Sequence, residues 1–524
     1  MARLLYIILF SCLLKVSLQQ SRPDDTEYVA AVVEYLVSDD VEQNRLNYIQ
    51  LIEEAARQNA DIIVFPELTL TNPTTSFPVP IYGHLIQYPI PALQPDLYDN
   101  LLVSMSSAAR NNSIYVVVNV RELLDCTRND TGELCPNSTQ YVFNTNVVFD
   151  RTGRVIDRYR KINLFGEPTH TPAFQPDLGH FDTDFGVTFT HFICFDLKFQ
   201  VPAIQAIQRL RVTDVIFTVR WISELPYLTA VQIQEAYAYT MNVNFLAAGG
   251  NNVGRGAAGS GIYSGRAGAL VSIMPGVPTT RLLVSRVPKV PGQSTNTTYP
   301  GHIHDNPADH DGLFLLVDPS IVSHVSRQLS PGSQELVLVD GDVSCRFNVR
   351  LTLASGELYY RYRAVVFDGV RTYSGVATGG VRACGVVACT DDTLQSCGRK
   401  FPVYAANRTA VFHELRIEAT MPTPVMDTNL TADGFVVYPV SVDVSIMPLE
   451  VSQYTYTTNV TNTTTVHTYI LDDFNVELYS FSLFGRDFSR DGEEPTPPIP
   501  DCANVHLLSS ILLISLLVNT LNIF

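Results

Sequence analysis

Positive charge is in short supply in this 524-residue chain. Lys and Arg number 35 against 52 Asp and Glu, for a net charge of −17. Nucleic acid demands a basic face to neutralise its phosphates, so the balance argues against that class of partner. Basic residues are also missing beyond the apolar C-terminal segment "HLLSSILLISLLVNTLNIF", which has neither a stop-transfer cluster nor a cytosolic tail. Helical periodicity is nearly absent beyond about Pro300, and tryptophan occurs once, at Trp221.

The two ends read as targeting signals. Residues 1–20 have Arg3 in the n-region and an apolar stretch over 4–14 that is too short to span a bilayer, as in a signal peptide. At the other end a polar, Pro-rich spacer ("GEEPTPPIPDCAN") precedes the apolar tail, the pattern of a GPI-attachment signal over 491–524. The attachment residue stays open: Asp491 leaves a spacer of the usual length, whereas Asp501, Cys502 and Ala503 lie closer to the tail. Asn111, Asn129, Asn137, Asn296, Asn407, Asn429, Asn459 and Asn462 each begin an Asn-x-Ser/Thr sequon. Together these features predict a glycosylated protein on the extracellular face of the cell membrane, held by a lipid anchor only, or secreted.

Cysteine is one short of an even number. Cys12 leaves with the signal peptide and Cys502 with the tail, so seven remain. Cys126 and Cys135 flank the turn-rich "TRNDTGEL" and make a natural local disulfide. Cys345, Cys384, Cys389 and Cys397 can pair in three ways. Cys194, alone within "THFICFDLKF", is left over in a compartment where cysteines are normally spent on bridges.

The pattern along the chain alternates at first. From Asn44 a helix is expected, with Leu46, Ile49, Ile52 and Ala56 on its apolar side. It leads into "DIIVFPEL", whose apolar run over 62–65 reads as a strand covered on both faces and closed by Pro66. "LYDNLLVSMSSAARNN" predicts a helix with Leu97, Leu101 and Met105 on one face. "SIYVVVNV" and "QYVFNTNVVFD" predict strands, "DRTGR" a hairpin turn on Gly153, and "VIDRYRKINLF" the returning strand. "VTFTHFICFD" and "DVIFTVRW" are further strands, with helices in "PAIQAIQRLR" and "LTAVQIQEAYAYTMNVN". The strands "FLAAGG", "ALVSIMPG" and "RLLVSRV" close this region, giving an α/β or α+β sandwich over 21–300. "HIHDNPADHDG" reads as a polar connector. Residues 311–490 read as a second, mostly β domain.

Three strand ends present Glu67, Lys161 and Cys194, and sites in open sheets lie beyond the carboxyl ends of strands. A thiol attacks as its thiolate, a nearby carboxylate can take the proton, and an ammonium can hold charge on a carbonyl oxygen. With the backbone N–H of Phe195 assisting, that set would cleave an amide through a thioester that water hydrolyses.

"DIIVFPE", "YRKINLFGE" and "FTHFICFD", in that order, resemble the Glu-Lys-Cys signature of the nitrilase superfamily. "NNSIYVVVNV", "FNTNVVFD", "VNFLA", "GSGIY" and the cysteine-rich "ACGVVACTDDTLQSCG" resemble its vanin/biotinidase branch. The resemblance implies an α+β protein: a nitrilase-type αββα sandwich followed by a smaller, mostly β C-terminal domain. It implies a hydrolase of linear amides, using no metal and no organic cofactor, with pantetheine (to pantothenate and cysteamine) as substrate; a biotin amide or another N-acyl amine is the alternative. It places the triad on Glu67, Lys161 and Cys194, a supporting glutamate on Glu167 and a pocket tryptophan on Trp221. "FTVRW" departs from the Pro-Thr-Ala-Trp pattern of mammalian vanins and sets Arg220 beside the pocket, which leaves acyl-group specificity open. A different class, a surface interaction protein on the same scaffold, would be marked by a broken triad; here all three positions are filled.

Overall fold

The computed structural model describes residues 20–80, 85–127, 133–176, 178–293, 297–423 and 434–499. The signal-peptide and tail segments, Cys12 and Cys502, and Asn129, Asn296 and Asn429 lie outside them. No helix of the described residues is long and apolar enough to cross a membrane.

The first part is built on fourteen strands: β1 (Glu27–Leu36), β2 (Ile62–Val64), β3 (Tyr115–Asp125), β4 (Gln140–Phe149), β5 (Val155–Arg160), β6 (His180–Asp182), β7 (Thr188–Ile193), β8 (Asp214–Val219), β9 (Glu224–Leu225), β10 (Asn244–Asn251), β11 (Ser260–Ser264), β12 (Ala269–Ile273), β13 (Arg281–Pro288) and β14 (Gly301–Ile303). Strands β13, β1, β2, β3, β4 and β5 pair side by side in one half; β6, β7, β8, β10, β11, β12 and β14 do so in the other. The halves join where Tyr35 and Leu36 of β1 pair in parallel with Gly250 and Asn251 of β10.

The two halves stack face to face. Val32, Val64, Val117, Val148, Phe189, Ile216, Leu246 and Ile262 fill the space between them. Helices α1 (Val41–Arg57) and α2 (Asn100–Asn112) cover one outer face. The short α3 (Gln205–Leu210) and α4 (Ala230–Met241) cover the other. An αββα sandwich results, and strands such as β8 are buried throughout because both faces are covered.

Two helical faces differ from their expected ones. α1 starts at an Asp40 N-cap whose side chain accepts from the Glu42 N–H. It buries Asn44, Tyr48, Ile52 and Ala55, while Leu46 is exposed. Asn44 can go inside because its side-chain oxygen accepts from the Tyr35 hydroxyl at 2.8 Å. Leu97 precedes α2 in a short 3₁₀ turn and is likewise exposed. β1, unanticipated, is the central strand.

The C-terminal domain is two antiparallel five-stranded sheets. One runs Val325–Gln328, Arg361–Tyr373, Ala377–Cys389, Leu478–Asp487 and Phe435–Asp443; the other runs Gly332–Asp340, Val343–Thr352, Val411–Pro422, Thr464–Leu471 and Tyr454–Val460. The Cys345–Cys384 disulfide ties one sheet to the other, and Cys389–Cys397 and Cys126–Cys135 close local loops. Asn111, Asn137, Asn407, Asn459 and Asn462 are all exposed.

Two stretches expected to be solvated are packed instead. The connector contributes β14, and within it His302 and His310 are buried, the first against Glu235 and the second on the Met274 carbonyl. In the spacer, the Thr496 N–H donates to the Val370 carbonyl, and the Ile499 N–H donates to that of Val322. Both cases satisfy backbone or imidazole groups at the edges of sheets that the linear pattern does not reveal.

Candidate active site

Glu67 stands three residues past the end of β2. Leu68, the next residue, has φ +49° and donates its N–H to the Asn119 side chain at 2.8 Å. Lys161 follows β5 directly, its N–H donating to the Asn144 carbonyl. Cys194 begins a 3₁₀ turn straight after β7, at φ +47°, a left-handed conformation rare for a side-chain-bearing residue. That bend is held by Asp196. Its carboxylate accepts from the Ile193 N–H, the Tyr159 hydroxyl, and both the N–H and side chain of Asn163.

Lys161 Nζ lies 2.6 Å from Glu67 Oε1 and 2.6 Å from Glu167 Oε1. Asn144 Nδ2 donates to Glu67 Oε1 at 2.8 Å. Asn144 is in turn held by Asn119, which also reaches Asn146. The cluster is deeply buried: Lys161 is 1 % exposed, Glu67 3 % and Cys194 7 %. A buried ammonium survives there because two carboxylates face it.

Burial acts to raise the Glu67 carboxyl, but the Lys161 charge, with hydrogen bonds from Lys161, Asn144 and Cys194, holds it below its ordinary value. Glu167, shielded from water and facing Glu67, is pushed up to about 7 despite Lys161. Burial acts to lower Lys161, yet the charges of Glu67, Cys194 and Glu167 leave it raised. The Cys194 thiol is driven well up by burial and by Glu67; Lys161 and the Arg220 backbone N–H oppose this without reversing it. The resting site is therefore a protonated thiol beside an ionised carboxylate, not a free thiolate. Cys194 is the free cysteine among the described residues.

Beside the sulfur lies a small cleft of about 50 Å³, lined by Phe165, Phe195, Arg220, Trp221 and, from the C-terminal domain, Tyr373. The Phe195 ring meets Tyr373 edge-on at 5.7 Å. Trp221 donates its indole N–H to the Leu228 carbonyl at 2.9 Å, which fixes the ring as a wall. All six residues singled out from the sequence thus lie in or around one site. Asn119, Asn144 and Asp196 were not singled out. The available signal was asparagine recurring in "FNTNVVFD", inside a predicted strand.

The carbon-nitrogen hydrolase profile matches residues 28–250, and the vanin C-terminal domain profile matches residues 314–491. Vanin-like protein 2 of Drosophila melanogaster is 33% identical over 86% of this chain and 87% of its own length. The chain belongs to the vanin/biotinidase branch of the nitrilase superfamily. A pantetheinase of Mus musculus is 30% identical over 66% of this chain and 68% of its own. A biotinidase of Takifugu rubripes is 30% identical over 72% and 82%. The protein is accordingly a carbon-nitrogen hydrolase that acts on amides.

Proposed function

We propose that this amidase hydrolyses linear amides through a thioester on Cys194, with pantetheine as its leading substrate and biotin amides or another N-acyl amine as the alternative. The observation that carries the reading is the meeting of Glu67, Lys161 and Cys194 beyond the ends of β2, β5 and β7, with Cys194 lining a cleft. Glu67 takes the thiol proton as sulfur bonds to the amide carbon, so no standing thiolate is needed. Lys161 and the Phe195 N–H stabilise the oxyanion while Glu167 keeps the ammonium in place. The C–N bond then breaks, the amine leaves with the proton from Glu67, and a thioester remains. Water, deprotonated by Glu67, adds to the thioester, and the carboxylic acid leaves as the thiol is restored.

The catalytic unit spans 21–300 and the β-rich unit 311–490 in this reading. Three disulfides and five exposed sequon asparagines support an extracellular, glycosylated protein. The filled triad counts against a purely interacting role.

The test is turnover of pantetheine beside biocytin by the purified ectodomain and by Cys194→Ala. Expected is loss of turnover by about 10³-fold or more with unchanged secretion; wild-type-like rates in the variant sink the mechanism. A thiol alkylator applied without reduction should label Cys194 alone, at a rate that keeps rising through pH 9 because the thiol is held protonated. Recovery of Cys194 in a disulfide-linked peptide would contradict the reading.

A further inference from the structure

The charges around the cleft do not balance, once each carboxylate is followed to its partner. Glu67 and Glu167 are both taken by Lys161. Glu224, on the cleft lining, is taken by two hydrogen bonds from Arg371, which also holds Asp318. None of these carboxylates pairs with Arg220. Its side chain lines the cleft beside Cys194, partly buried, with neither a hydrogen bond nor an ion pair. Its stem is not free to swing away. A Cβ placed on Gly250 would lie 3.2 Å from Arg220 Cγ and 3.6 Å from Cδ, so the glycine is the slot in which the arginine lies.

A second basic side chain lines the same cleft. Lys198 is 2 % exposed, and its ammonium nitrogen has no hydrogen-bond partner. It sits 5.3 Å from the centre of the Trp221 ring, 5.8 Å from Tyr373 and 5.1 Å from Phe484. Burial, followed by the nearby Arg371, lowers it well below its ordinary value. An amine kept dry and unsatisfied is costly unless a ligand completes it, and a guanidinium offers five fixed donors that match an oxyanion in pairs. The remaining wall is apolar or neutral: Phe165, Trp221, Ile222, Leu228 and Leu316.

We infer that this cleft is an anion-selective subsite, in which Arg220, with Lys198 behind it, holds a carboxylate or phosphate carried by the substrate within a few bonds of the scissile amide. The inference rests on the amidase reading and shifts its preferred substrate from pantetheine, which carries no such anion, to another N-acyl amine that does. Arg220 adjoins the sulfur through its own backbone N–H, so one side-chain length sets how far the anion can lie from the reacting carbonyl. A charge-assisted pair here also places the amide over Cys194, which converts anion binding into orientation.

Binding is measured on Cys194→Ala protein, so that the readout does not depend on turnover. Three probes are compared by calorimetry: N-acetylglycine amide, N-acetylglycine, and an N-acyl aminoalkyl phosphate of similar length. Expected is at least tenfold tighter binding of one anionic probe than of the neutral amide, weakening with salt. Adding Arg220→Met, which keeps the stem, should erase that preference, and Arg220→Lys should restore part of it. The carboxylate and phosphate arms identify which anion is preferred. In the wild-type enzyme Arg220→Met should raise KM for the preferred anionic amide at least tenfold while kcat changes less. Equal binding of neutral and anionic probes, absence of binding by all three, or a preference untouched by Arg220→Met overturns the inference. Cys194-dependent hydrolysis of pantetheine in the same preparation would then leave the amidase reading standing, whereas its absence would count against that reading as well.

Discussion

Arg371, borne by the C-terminal domain, donates to both carboxylate oxygens of Glu224 in the first domain, at 2.7 and 2.9 Å. The guanidinium is fully buried and reaches Asp318 at 2.8 Å as well. This joint lies at the floor of the cleft, next to Tyr373 and Lys198. The C-terminal domain therefore completes the site instead of trailing behind it.

Removing that guanidinium leaves two buried carboxylates without a counterion. Arg371→Met should destabilise the protein by about 3–5 kcal/mol, read as a lower urea midpoint. Combining it with Glu224→Gln and Asp318→Asn should recover much of the loss. A single variant as stable as wild type would show that the ion cluster does not hold the two domains together.

In the proposed mechanism Asn144 acts through Glu67, as a positioning residue. Its hydrogen bond is one of the interactions that keep the Glu67 carboxyl low. Asn144→Ala should cut kcat by roughly 10²-fold and move the acid limb of the kcat/KM profile to higher pH, since an interaction favouring the carboxylate is gone. A lowered rate with an unmoved limb would mean that Asn144 serves packing alone.

Glu167 changes charge near pH 7, because burial and the Glu67 charge raise it to about 7. An inflection near that pH is expected in kcat/KM. Glu167→Gln removes the titrating group and should remove the inflection, lowering the rate through a less constrained Lys161. The same inflection in the variant would assign it elsewhere.

His302 supplies a pH-dependent contact between the two domains. Burial acts to lower its imidazole, but Glu235 at 2.6 Å and Glu450 at 3.4 Å, with Asp443 nearby, raise it to about 9; His304 faces it with a lowered pKa of its own. A group raised from 6.5 to about 9 on folding stabilises fully below pH 6.5, and that contribution is lost as pH rises through 9. The melting-temperature gap between wild type and His302→Gln should accordingly be widest near pH 6 and narrow by pH 10. A gap independent of pH would mean that the histidine is held neutral.

Much of the site was legible because its signals are local. Glu67, Lys161 and Cys194 each follow a segment that reads as a strand, and strand ends are where sheet sites form. What the linear pattern missed is polar burial. The α1 face turned on Asn44, whose acceptance of the Tyr35 hydroxyl let an amide displace Leu46 from the inside. The connector appeared solvated because nothing in "HIHDNPADHDG" announces that Glu235 and the Met274 carbonyl await its histidines.

The sequence alone determined the chemical identity of the site: an odd thiol left over from pairing, with a carboxylate and an amine ordered at strand termini. These are properties of residue type and short-range periodicity, and folding does not alter them. Tertiary structure alone decided the protonation state and the walls. Asn144 meets Glu67 across 77 residues and Arg371 meets Glu224 across 147, and only burial in a shared low-dielectric interior makes those meetings count.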